Sequence, residues 1–139
     1  MLFALVAYAQ MGYAITPGQV DDFQDGTTMS WGRSATANIA DAGPDGVDDH
    51  ALDVDRGSRP VVTNEDQWQG DWTGAGVTAL TFDVLSPTSN GTDMNVWLGI
   101  SAGTLPAFGG AGDTYVSSES QAVPSDGQWH NVSFDVTAA

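Results

Sequence analysis

Apolar and polar residues alternate between positions 77 and 101, and this pattern predicts two β-strands that face one core across a polar turn. In the first strand, Leu80, Phe82 and Val84 alternate with polar residues, so their side chains share one face. Residues 86–93 hold Pro, Asn and Gly, which favour turns because they preset or tolerate the backbone angles that turns require. The second strand has a core row that consists of Met94, Val96, Leu98 and Ile100.

Trp97 lies in the opposite row of this second strand, between Asn95 and Gly99. A large aromatic side chain on the polar face of a strand is either covered by a loop or offered to a ligand. The sequence leaves both interpretations open, and the exposure of the Trp97 ring decides between them.

The rest of the chain consists of short apolar runs between turn residues. The whole chain has 139 residues, which is about the length of one domain. The 17 Gly residues and the clusters of Ser, Thr, Asn and Pro indicate many turns. We therefore expect an all-β fold, a β-sandwich of two antiparallel sheets over residues 20–139. Further strands are predicted over residues 50–55, 61–63, 115–122 and 129–136.

Residues 1–14 form an apolar segment that is rich in small side chains. The segment is typical of the later part of a secretory signal peptide, and Ala7 or Ala9 together with Ala14 would supply the cleavage site. A basic leader is missing, so either the peptide is truncated upstream or the segment is a short apolar strand. It is too short to span a bilayer. We expect residues 15–19 to be a linker and the protein to be secreted or held at the cell surface.

The charge balance narrows the range of partners. Sixteen Asp and two Glu stand against three Arg and no Lys, and the formal net charge is -15. Such a field repels phosphate backbones and anionic lipids, so nucleic acid and membrane headgroups are poor candidate partners. Asp in this excess suits turns and Ca²⁺ loops. A solvated acidic surface would give the same composition.

Two segments concentrate the carboxylates. Residues 20–27 hold three Asp side chains and one Gln within five positions, which either gather a hard cation or form a first strand followed by an Asp-Gly turn. Residues 41–49 are rich in Gly, Pro and Asp, but they lack the ligand at every second position that an EF-type loop requires.

With these segments in place, the chain resembles the galactose-binding-like jelly-roll domains of carbohydrate-binding modules and of exported bacterial proteins. The matching segments are residues 21–31, 46–54, 68–77, 80–84 and 128–136, which together span nearly everything after Val20. The resemblance implies a jelly roll with a structural calcium ion. The matching ligand positions are Asp22 or Gln24, Asp49 and Asp135, and Gln24 departs from the Glu that is usual there.

Sugar binding is the function that the resemblance and the aromatic residues together favour. A pyranose ring stacks its C–H face on an aromatic ring while polar side chains bond its hydroxyls. The candidate ligand-binding residues are Trp97, Tyr115, Trp68, Asn95 and Arg59, and we expect Trp72 to be structural. We therefore predict a non-catalytic, extracellular polysaccharide-binding module that is monomeric and belongs to a longer chain.

Two other classes of function compete with this prediction. The chain has no nucleophile elbow, phosphate-binding Gly loop or paired-His motif, so we do not expect an enzyme. A calcium-stabilised structural or adhesive module of a bacterial surface protein, with no sugar ligand, is the closer alternative. Exposure of both Trp97 and Trp68 would favour sugar binding, and burial of both would favour the structural module.

Overall fold

The computed structural model describes residues 2–9, 15–55, 60–102, 114–117 and 119–136. These residues form an all-β structure, as predicted, with a single 3₁₀ turn at Thr88–Asn90. The strands are β1 (Leu2–Ala9), β2 (Trp31–Arg33), β3 (Thr36–Ile39), β4 (Ala51–Val54), β5 (Val61–Asn64), β6 (Ala79–Leu85), β7 (Met94–Ala102), β8 (Thr114–Val116), β9 (Gln121–Val123) and β10 (Trp129–Asp135).

The described strands pair into one large sheet and two small ones. The large sheet has the order β2-β5-β1-β7-β8, and β9 also pairs with β7. The small sheets are β10-β6 and β3-β4, and both are antiparallel, as expected. The large sheet is mixed, because β1 runs parallel to β5 and to β7. The described pairings among strands of residues 20–139 are all antiparallel, as predicted, and the parallel pairings come from β1, which lies outside the domain for which that prediction was made.

The central pair of strands faces one core, as the alternation predicts. Leu80 of β6 and Val96 and Leu98 of β7 are buried in the same apolar cluster. The two strands nevertheless belong to different sheets, since β6 pairs with β10. Phe82 of β6 stacks on Phe134 of β10 with ring centroids 5.9 Å apart. Burial of a side chain of this size contributes about 1.5–3 kcal/mol. The shared apolar cluster therefore holds the β10-β6 sheet against the large sheet.

Residues 20–27 do not form the first strand that the sequence offered as an alternative. The segment folds into turns, and Phe23 takes a left-handed φ of 60°. The Asp25 carboxylate accepts hydrogen bonds from the backbone N–H and the hydroxyl of Thr27, both at 2.8 Å. Such local bonds from Asp compete with the pairing of a strand.

The strand predicted over residues 115–122 is interrupted. It divides into β8 and β9, which pair with different parts of β7. Between them, the backbone N–H of Ser117 donates to the carbonyl oxygen of Leu98 at 2.8 Å. Because of the interruption, β7 pairs with two short strands, β8 and β9, along the same edge.

The N-terminal apolar segment occupies a central place in the large sheet. Residues 2–9 form β1, in register with residues 95–102 of β7, and residues 4–7 are also in register with residues 61–64 of β5. Residues 2–9 thus take the strand conformation that the sequence left as an alternative, while removal of the segment as a signal peptide stays a prediction. Within the described ranges, no helix has the length and hydropathy needed to cross a bilayer.

Candidate functional site

One carboxylate joins three segments of the chain in what we call the Asp21 node, which comprises Asp21, Trp31, Gln67 and Trp68. The Oδ2 atom of Asp21 accepts hydrogen bonds from the indole N–H groups of Trp31 and Trp68, both at 2.6 Å. Its Oδ1 atom accepts a bond from the Gln67 amide at 2.8 Å. Bonds to an ionised acceptor are stronger than neutral ones, so the node fixes the loop before β2 against the loop after β5.

The tryptophans of the node belong to a buried cluster of three tilted indole rings, which Trp72 completes. The ring centroids of Trp31 and Trp68 are 6.3 Å apart, and those of Trp68 and Trp72 are 6.1 Å apart. Trp68 is 8% exposed and Trp72 is 7% exposed. The structural role expected for Trp72 is confirmed. Trp68 packs in the same core, so its ring offers little surface to a ligand.

The residues of β7 that face away from the core are accessible to solvent only near the start of the strand. Asn95 is exposed and Trp97 is half-buried, whereas Gly99 and Ser101 are buried. The inward row is buried at Met94, Val96 and Leu98. Because side chains alternate across a strand, the Trp97 ring stands on the face opposite to the core and retains accessible surface.

Neighbouring strand residues extend this open end into what we call the β7 platform, comprising Asn95, Trp97, Ser120 and Ala122. Asn95 is in register with Ala122 of β9, which is exposed. The hydroxyl of Ser120 donates to Asn95 Oδ1 at 3.4 Å. The platform thus combines an indole ring with an amide and a hydroxyl, which are the groups that pack against an apolar ring face and bond hydroxyls.

The structure places Trp68 away from this platform and gives the strand register of Tyr115. Tyr115 lies in β8 in register with Ile100, which belongs to the other row of β7 from Trp97. Trp68 belongs to the Asp21 node, and Arg59 lies outside the described residues. Of the five candidates, the structure therefore brings Trp97 and Asn95 together.

Ser120, Ala122 and the acidic residues around the platform were not predicted from the sequence. Asp93 directly precedes β7 and Glu119 directly precedes Ser120, and both carboxylates are exposed. The Oδ1 atom of Asp93 accepts a bond from the backbone N–H of Ser125 at 3.1 Å. The signal that would have found these residues is the register between β7 and β9, which a single sequence does not show.

The candidate metal ligands are only partly brought together. The amide nitrogen of the Gln24 side chain donates to Asp49 Oδ1 at 2.7 Å, and Asp22 Oδ1 accepts from the backbone N–H of Gln24 at 3.1 Å. Asp135 lies in β10, in register with Ala79 of β6. Among the residues that the structure describes, no three His, Asp or Glu side chains form a metal-binding group.

A second polar junction ties the same acidic loops to the β3-β4 sheet. The Asn38 amide donates to the carbonyl oxygens of Phe23 and Thr27 at 2.6 and 2.7 Å. The side-chain oxygen of Asn38 lies 2.6 Å from His50 Nδ1. Because an amide oxygen only accepts hydrogen bonds, this contact requires the proton to be on His50 Nδ1. His50 is thus held in place by a side-chain amide.

Two exposed carboxylates outside these junctions are shifted toward the charged form. The backbone N–H of Thr27 lowers the pKa of Asp25, because it bonds the ionised carboxylate. The His130 ring, 3.0 Å from Asp126, lowers the pKa of Asp126. Both shifts arise from local hydrogen bonds and neither carboxylate is buried, so neither has the environment of a general acid.

Comparisons of the chain with protein-family models, curated proteins and solved structures find no match.

Proposed function

We propose that this chain is a non-catalytic carbohydrate-binding module that holds a polysaccharide on the β7 platform. The observation that carries the proposal is the half-buried Trp97, which keeps some accessible surface, beside the exposed Asn95 on a strand whose opposite row is buried. A strand-borne indole is rigid, so stacking a pyranose ring on it orders few rotatable bonds. The amide of Asn95 then supplies polar contacts to hydroxyl groups.

The proposal includes the architecture and the setting in which such modules work. We assign the sheets to a jelly-roll sandwich, and the protein to the cell exterior, on the residue pattern after Val20 and the apolar opening segment. A structural Ca²⁺ would join the loops around Asp22, Gln24 and Asp49. Since Ca²⁺ takes oxygen ligands, the Gln24 side chain would have to turn its carbonyl oxygen toward the ion instead of donating to Asp49.

A structural or adhesive module without a sugar ligand is the second candidate. The burial of Trp68 and its bond to Asp21 favour this alternative, because one of the two tryptophans that would mark a glycan site is committed to the core. The Trp97 side chain is therefore the residue on which the two functions differ.

Binding to soluble polysaccharides distinguishes the candidates. We expect the wild-type chain to bind at least one glycan in affinity electrophoresis, and W97A to bind at least about tenfold more weakly, which is about 1.4 kcal/mol. The matched control is W129A, which removes another half-buried tryptophan at the start of β10. Failure of the wild type to bind any glycan, or equal losses in both variants, would support the structural module instead.

Calcium is tested separately by thermal melting in EDTA and in millimolar Ca²⁺. A ligand that binds only the folded state raises the melting temperature, and the increase grows with the logarithm of the ligand concentration above its Kd. We expect the increase in wild type and a smaller increase in D49N. An unchanged melting temperature in wild type would remove calcium from the proposal and leave the glycan site in place.

A further inference from the structure

The charges on this protein constrain which polysaccharide the platform can hold. The formal net charge is -15, and the three cationic side chains are all Arg. Of these, the structure describes Arg33 in β2, and β2 is the edge of the large sheet farthest from the β7, β8 and β9 strands. A ligand at the platform therefore meets a negative field with no nearby Arg among the described residues.

The carboxylates closest to the platform in the chain strengthen this field. Asp93 precedes β7 and Glu119 adjoins Ser120, whose hydroxyl contacts Asn95 at 3.4 Å. Both carboxylates are exposed, so their effect reaches across about 10 Å of solvent at moderate ionic strength. An anionic uronate or sulfated glycan is repelled, a neutral glycan gains nothing from the field, and a cationic glycan is attracted.

We propose that the ligand of the β7 platform is a cationic amino-sugar polymer, a polyglucosamine with free amino groups. This inference rests on the proposed function, since it names the class of glycan that the same platform binds. The pyranose ring stacks on Trp97, and a protonated amino group beside the indole adds a cation–π attraction. Glu119 and Asp93 then attract the remaining ammonium groups along the chain.

The test compares oligomers that differ only at the amino group. Isothermal titration calorimetry in a mildly acidic buffer, in which the amino groups of the sugar are protonated, measures glucosamine oligomers, the same oligomers after N-acetylation, and a polyuronate. We expect the free amine to bind best, the N-acetylated form more weakly and the polyuronate not at all. Added salt weakens binding of the free amine and not of the N-acetylated form.

Charge variants separate a local site from general attraction to an acidic protein. We expect E119Q to weaken binding of the free amine by about two- to fivefold, the range of an exposed ion pair. The matched control D53N changes the net charge equally at an exposed position of β4 and should leave binding unchanged. Equal effects of the two variants would overturn the inference.

The outcomes also distinguish this inference from the proposed function. If the N-acetylated oligomer binds as tightly as the free amine and W97A abolishes both, the platform binds glycans and the choice of a cationic glycan is wrong. If no glycan binds, the inference and the proposed function both fail. Binding of the polyuronate in preference to the amine would overturn the inference alone.

Discussion

Trp68 lies in a polar segment and Trp97 in a largely apolar strand, yet Trp68 is the more buried of the two. Trp68 comes from a polar, Gly-containing loop and is only 8% exposed. Trp97 comes from a strand whose neighbours at positions 96 and 98 are fully buried, yet it is only half-buried. The difference teaches that local polarity does not predict the exposure of a tryptophan. The decisive factor is whether the fold supplies the indole with neighbouring rings and an acceptor for its N–H.

For Trp68 the acceptor is a carboxylate far away in the chain. Leaving a buried donor without a partner costs about 1–3 kcal/mol, and Asp21 removes this cost for Trp31 and Trp68 together. Trp97 stands on the outward row of β7, where water reaches part of its side chain. The first ring therefore stabilises the fold, and the second is available to a ligand.

The largest effect that we expect comes from removing the carboxylate of the node. D21A leaves two indole N–H groups and the Gln67 amide without their acceptor, which should destabilise the protein by about 3 kcal/mol and lower the melting temperature by about 10 °C. The measurement is thermal and urea unfolding followed by tryptophan fluorescence. The control is D126A, which removes an exposed carboxylate with a His partner and should leave the melting temperature nearly unchanged. Equal decreases in the melting temperatures of D21A and D126A would show that the Asp21 node stabilises the fold no more than an exposed carboxylate does.

An intermediate effect separates the two tryptophans directly. W68F removes one indole bond to Asp21 and part of a packed ring, so we expect a loss of about 2 kcal/mol in the free energy of unfolding. W97F keeps an aromatic ring at a half-buried position and should change this free energy by less than about 0.5 kcal/mol. Urea titrations of both variants check the difference. A larger loss in W97F than in W68F would contradict the assignment of core and platform.

The smallest effect concerns the exposed carboxylate that serves as the control. The His130 ring lowers the pKa of Asp126 in the folded protein, so the pair contributes stability above the unfolded pKa and loses it as the pH falls through the folded value. In H130A, the pKa of Asp126 should rise toward its ordinary value, and the melting temperature should fall slightly near neutral pH but not in strong acid. A carboxyl NMR titration of Asp126 measures the shift. An unchanged pKa would show that the exposed contact does not persist in solution.

Strands with a strict period of two were predictable, because their burial pattern is local. The rows at Leu80, Val96 and Phe134 are buried as the alternation indicates. Residues 20–27 lack this alternation, and there the Asp side chains bond nearby backbone N–H groups and favour turns. A strand is therefore predicted reliably where the alternation is strict and few side chains compete for the backbone.

Pairing between strands was not predictable from the sequence. The parallel insertion of β1 between β5 and β7 joins segments that lie more than 50 residues apart. Nothing in a short apolar segment specifies which edge it will join, because main-chain ladders are alike in every strand. The same lack of register information concealed Ser120 and Ala122 beside Asn95.

The sequence by itself determined that the chain is all-β, that one face of each long strand is apolar and that the surface is strongly acidic. These properties follow from residue types and their local spacing, which any fold of the chain must respect. Only the tertiary structure decided that the Trp68 side chain is buried and that the Trp97 side chain stays partly accessible to solvent. Burial of Trp68 depends on Asp21, 47 positions away, and on rings from Trp31 and Trp72, because packing is set by distance in space and not by distance along the chain.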